Sequence, residues 1–140
     1  MKLVINKCFG GFGLSPLATK ELAKAHGRKC YFFTNIRDKN GKINLTKLGK
    51  ITLKEAEAAF FWMAYDHPKG DEAEGEHYID HGHQLDRADP KLVEIVERLG
   101  NKANGSHAEL SIIEIPDGTE YTIEEYDGME HVAEVHRTWY

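Results

Sequence analysis

The feature that most constrains this chain is the run Cys8-Phe9-Gly10-Gly11-Phe12-Gly13-Leu14-Ser15. Three glycines in four positions neither extend a strand nor start a helix at low cost, so the run reads as a turn. Before it, Leu3 to Lys7 reads as a short strand, apolar on both faces. After it, Ser15-Pro16 supplies a good N-cap and a proline suited to the first helical position. The stripe Leu17, Ala18, Leu22 and Ala25 predicts a helix, closed by Gly27 as a left-handed cap. Cys30-Tyr31-Phe32-Phe33-Thr34 follows as a second strand. Strand, helix and strand at these lengths predict a β-α-β opening with a right-handed parallel crossover.

A glycine turn that feeds a helix N-terminus gathers backbone amides and about half a positive charge. The expected ligand-binding residues there are Lys7, Phe9, Gly10, Gly11, Phe12, Gly13, Leu14 and Ser15. Lys7 would add charge and an aromatic ring would stack on a base. Each named phosphate motif is broken, however. A Walker A loop needs Lys-Ser/Thr where Leu14-Ser15 stands, and a dinucleotide fingerprint needs glycine where Pro16 stands. A phosphatase-like loop from Cys8 needs arginine where Leu14 stands. Two readings survive: an amide cradle for an anion, or a structural turn with Phe9 and Phe12 packed inside.

Further along, Asn35 to Lys50 is polar, with a turn at Asn40-Gly41. Thr52-Leu53-Lys54-Glu55 is a capping box, and Leu53, Ala56, Phe60 and Met63 extend a helix to about Tyr65. The alternative is a buried strand over Phe60 to Met63. Residues 66–88 read as a long irregular loop, functional or mobile by its length. Asp89-Pro90 opens a third helix with the stripe Leu92, Val96, Leu99 and Ala103, ending at Gly105. Strands at His107–Ile115, Glu120–Tyr126 and Met129–Val135 follow, joined by Asp117-Gly118 and Asp127-Gly128 turns. The expected fold is mixed α/β in one domain over 1–140: a β-α-β unit, two further helices and a C-terminal antiparallel meander.

Four other clusters carry chemistry. His77, His81 and His83 lie beside Asp80 and Asp86 and could hold a metal, although the spacing fits no zinc pattern and solvated histidines explain it as well. On a hairpin, Glu125 could meet His131 or His136 as an acid-base pair, against the plainer reading of a solvated charged face. Arg87 precedes the third helix and could reach an anion there or pair with Asp89. Arg137 and Trp139 place a guanidinium and a ring near the C-terminus, suited to stacking on a base.

Charge and composition narrow the partners. A formal charge of -5 over 140 residues argues against duplex nucleic acid and leaves room for a small anion held by amides. Leu3-Val4-Ile5 is too short for a secretory core, and no run approaches a membrane span. The expected compartment is therefore cytoplasmic, with Cys8 and Cys30 kept as thiols. An aromatic content of 10%, partly in loops, suggests a homo-oligomer. No cofactor is expected.

Two segments resemble a known group. The stretch from Lys2 through Cys8-Phe9-Gly10-Gly11-Phe12-Gly13-Leu14-Ser15 resembles the start of a family of small bacteriophage and prophage proteins. Arg87 to Val93, Ile115-Pro116-Asp117, Glu125-Tyr126-Asp127-Gly128 and His136-Arg137-Thr138-Trp139 resemble its C-terminal half. Residues 37–84 have no counterpart in the resemblance. It implies a phage context, the host bacterial cytoplasm, and a likeness in size to viral anti-defence proteins, some of which sequester cyclic or ADP-ribose-type signals. It assigns no functional residues. The leading expectation is capture of an anionic nucleotide without turnover. The alternatives are an enzyme acting on a nucleotide or phosphorylated substrate through the C-terminal Glu and His groups, and an inhibitor that binds a host protein.

Overall fold

The computed structural model describes residues 1–69 and 75–135, apart from the side chains of 45–47. The fold is mixed α and β, and every strand pairing among the described residues is antiparallel. The chain forms two compact units: Met1–Ala18 with the stretch from Gly82 onward, and Thr19–His81.

In the first unit, β1 (Lys2–Asn6) pairs with β5 (Leu110–Glu114) in the register Val4 to Ile112. Helix α3 (Pro90–Leu99) packs on both strands through Leu92, Val93, Ile95 and Val96, all buried. Asp89 caps it by accepting from the Lys91 amide at 2.9 Å, and Pro90 fills the first turn, as the sequence predicts. The helix stops at Gly100 rather than at Gly105, and a 3-10 turn carries the chain on to the buried Ala103. β6 (Tyr121–Tyr126) and β7 (Met129–Glu134) form the C-terminal hairpin, and β7 lies against β1.

Helix α1 (Pro16–Ala25) opens in the first unit and runs into the second. There β2 (Tyr31–Arg37) pairs with β3 (Ile43–Ile51) on one side and β4 (Met63–Tyr65) on the other. Ala23, Phe32, Ala56, Ala64 and Ile79 make the core of this unit. Between β3 and β4, α2 (Leu53–Ala58) has the full capping box: Glu55 N donates to Thr52 Oγ1, and Thr52 N donates to Glu55 Oε1, each at 3.1 Å.

Three expectations are corrected. The strand-helix-strand order is present, but β1 and β2 lie in different sheets, so no parallel crossover forms. Locality decides this: the Asn40-Gly41 turn hands β2 an antiparallel neighbour a few residues away, at small loop-closure cost. That neighbour, β3, occupies a stretch that reads only as polar. Third, the second helix ends at Ala58, and Ala59 turns extended. Residues 63–65 become β4 because the open edge of β2 offers a ladder and buries Ala64 completely. Phe60 is left 99% exposed.

Candidate functional site

β1 ends at Asn6, which is fully buried and organises the glycine turn. Its side-chain amide donates to Cys8 O at 2.8 Å and to Gly128 O at 2.7 Å, and its Oδ1 accepts from Glu109 N at 2.8 Å. One side chain thus ties the turn to the tip of the β6–β7 hairpin and to the approach to β5. Asp127 (φ 50) and Gly128 (φ 90) form that tip as a primed hairpin turn. The tip packs directly on the glycine turn: Gly10 N donates to Asp127 O at 3.3 Å, and a Cβ on Gly128 would strike Gly11 N. A Cβ on Gly10 would strike the His107 carbonyl oxygen. These glycines permit a close three-way backbone contact.

Under this junction lies a buried ion pair. Arg87 and Glu130 are each 5% exposed at the side chain. Arg87 Nη1 donates to Glu130 Oε1 at 2.6 Å and Nη2 donates to Oε2 at 2.8 Å. The same guanidinium donates to Val4 O at 3.3 Å and His83 O at 2.9 Å. On the other side, Val4 N donates to Arg87 O at 3.0 Å, and Asn6 N donates to Glu130 Oε1 at 2.9 Å. The pair therefore occupies the second edge of β1, where a neighbouring strand would otherwise satisfy the backbone. The Phe12 ring covers the guanidinium, 3.6 Å from Cζ to the ring centroid.

A cleft of about 790 Å³ opens beside this pair. One wall is Gly10, Gly11 and Phe12, and a second is the segment His83 to Arg87. The third is the hairpin, with Tyr121, Ile123, Glu125 and Glu130. The amides of Gly11, Phe12 and Gly13 donate to no protein group among the described residues. The cleft sets Arg87 against Asp86, Glu125 and Glu130, and Glu130 already neutralises Arg87. An anionic group in this cleft would have to be held by backbone amides, because the arginine charge is spent.

Of the expected ligand-binding residues, the structure brings Gly10, Gly11, Phe12 and Arg87 to the cleft. Gly13 accepts from Gly105 N at 2.8 Å, and Leu14 is buried. Ser15 works as the helix cap, with Oγ accepting from Ala18 N at 3.1 Å and donating to Lys102 O at 2.6 Å. Lys7 and Phe9 are exposed and do not line the cleft; Phe9, at 61% exposure, is not packed inside. Arg137, Trp139 and His136 lie outside the described residues. Arg87 pairs with Glu130 and not with Asp89, whose carboxylate is engaged in capping α3.

The hairpin register also separates the proposed acid-base pair. The two-residue turn sets Tyr126 opposite Met129, so Glu125 falls across from Glu130 and Glu124 across from His131. His131 Nε2 meets Glu124 at 2.9 Å on the exposed face, while Glu125 faces the cleft and accepts from Gly128 N. Sequence reading missed Asn6, Tyr121, Ile123 and Glu130 as residues of this site, and it placed Asp86 with the histidine cluster instead. Asn6 breaking an otherwise apolar strand was the one usable signal, since a buried polar group needs partners.

The candidate metal histidines have other partners. His77 Nδ1 meets Asp66 Oδ1 at 2.7 Å, and Arg28 Nε donates to Asp66 Oδ2 at 2.8 Å. His81 stacks on Trp62 with ring centroids 4.0 Å apart. His83 lines the cleft in the first unit. Among the described residues, no three His, Cys, Asp or Glu side chains are placed to hold a metal ion. Cys8 and Cys30 are free thiols. Burial pushes the Cys30 thiol up to about 11, against the pull of Lys20 and Arg28, which leaves it a poor nucleophile at neutral pH.

Burial also holds the His81 imidazole below its usual value, against upward pulls from the Ile79 carbonyl and Asp80. Such a histidine contributes stability above its unfolded pKa, about 6.5, and loses it as pH falls towards the folded value. His81→Phe keeps a ring on Trp62 without the titration. Urea melts below pH 6.5 should therefore show a smaller acid loss in this variant than in the parent; equal losses would assign the effect to another group.

Family models, curated proteins and solved structures were compared with the chain, and none matches it. Among the described residues no helix is long and apolar enough to cross a membrane.

Proposed function

We propose that this protein captures a small nucleotide-type ligand in the cleft of the first unit without turning it over. The cleft itself carries the reading: its volume of about 790 Å³ falls in the range of small-molecule sites. An anionic end would rest on the unused amides of Gly11 and Phe12. A base would lie along Tyr121 and Ile123, with its N–H groups donating to Asp86 or Glu125. The acidic lining favours a ligand rich in donors away from its phosphate, which a nucleotide is and inorganic phosphate is not. The likeness of both chain ends to small phage proteins makes a host signalling nucleotide the natural candidate. Exposed Phe9 and Tyr126 suggest that copies of the chain associate through the same unit.

Thermal unfolding with mononucleotides, cyclic dinucleotides and cyclic ADP-ribose isomers tests this. A ligand present at 100 times its Kd should add about 2.7 kcal/mol, and it should be recovered unchanged. If the melting temperature stays constant across the whole panel, capture is ruled out. Recovery of a converted ligand would favour the enzyme reading instead.

A further inference from the structure

Arg87 has five N–H donors. Four are engaged: Nη1 with Glu130 and Val4 O, and Nη2 with Glu130 and His83 O. The fifth, Nε–H, is buried and has no partner among the described residues. A buried charged group rarely leaves a donor unused, because the desolvation cost is not recovered. In a planar guanidinium, Nε–H lies on the same edge as the outer Nη2–H. Here Nη2 reaches the His83 carbonyl, and His83 to Arg87 form one wall of the cleft. The Phe12 ring packs against the guanidinium, 3.6 Å from Cζ to the ring centroid, and Phe12 itself lines the cleft.

We infer that the cleft reads a keto nucleobase, a ring carrying a carbonyl oxygen beside an N–H, as in hypoxanthine, guanine or uracil. This inference rests on the capture reading above. The carbonyl oxygen accepts from Arg87 Nε–H in the plane of the guanidinium, and the adjacent ring N–H donates to Asp86. The charge balance selects this chemistry. Glu130 has neutralised the guanidinium, and Asp86 stands one residue away, so an anionic oxygen at Nε would meet an uncompensated carboxylate. A neutral carbonyl meets no such repulsion. Adenine offers an amino group where the oxygen is needed, so it leaves Nε–H unpaired and sets donor against donor.

Inosine 5′-monophosphate and purine riboside 5′-monophosphate differ only at this edge, so the intact protein can be titrated with both. The keto nucleotide should bind roughly tenfold tighter or more. The ¹⁵N-edited resonance of the Arg87 Nε–H should shift with inosine monophosphate and stay in place with purine riboside monophosphate. Asp86→Asn retains an oxygen for the Ala88 amide and should lower the preference while the fold persists. Equal binding of the two nucleotides, or a preference that leaves the Nε–H resonance unmoved, overturns the keto reading while capture stands. Binding of neither nucleotide, together with a flat thermal panel, overturns both.

Discussion

Glu130→Ala should lower the stability of the first unit by about 3–5 kcal/mol, a large share of the roughly 5–15 kcal/mol that holds a typical domain folded. The size of the effect follows from what the carboxylate holds. It accepts both bonds from a buried guanidinium and a third from the Asn6 amide on the edge of β1. Removing it leaves Arg87 charged and unpaired in a 5% exposed position. Urea denaturation by circular dichroism measures the loss. Truncating Glu130 together with Arg87→Met should recover part of it, because two apolar groups leave no orphaned charge. A Glu130→Ala protein within 1 kcal/mol of the parent would mean that water satisfies the arginine and that the pair does not hold the edge of β1.

Gly128→Ala should cost more than 2 kcal/mol and also displace the glycine turn from the cleft. Gly118→Ala provides the control. Both glycines lie at positive φ in the C-terminal region, 90° and 79°, so both alanines meet the same backbone strain of about 1–2 kcal/mol. A Cβ at Gly118 enters open space, whereas at Gly128 it strikes the amides of Gly10 and Gly11. The excess at Gly128 therefore reports the contact between the hairpin tip and the turn. Denaturant melts of the two variants give that difference. If they match, the tip does not bear on the turn, and any change in ligand affinity at Gly128 needs another cause.

Some of this was legible in the chain. Ser15-Pro16 and Asp89-Pro90 start helices where cap chemistry requires, and Thr52 with Glu55 closes its box as written. Asp127-Gly128 forms the hairpin turn that its dipeptide predicts. All of these depend on neighbours within four residues, so local physics suffices. The parallel crossover, the long second helix and the Glu125–His131 pair failed for the opposite reason. Each depended on which strand lies beside which, or on register, and sequence periodicity carries neither. Nothing in the composition marks the boundaries of the two units, since one falls inside α1.

The glycine run divides along the same line. The sequence alone determined that residues 10–13 turn, because no other residue so readily tolerates φ of 145° and 103° in succession. It also determined that Leu14 and Pro16 break each known phosphate motif. Only the tertiary structure decided what the turn is pressed against. Asn6, His107 and Gly128 reach it from three separate stretches of chain, and Arg87 finds its carboxylate 43 residues away. Such pairings are settled by burial: a charge or an amide excluded from water must take whatever partner the fold delivers, at whatever distance along the chain.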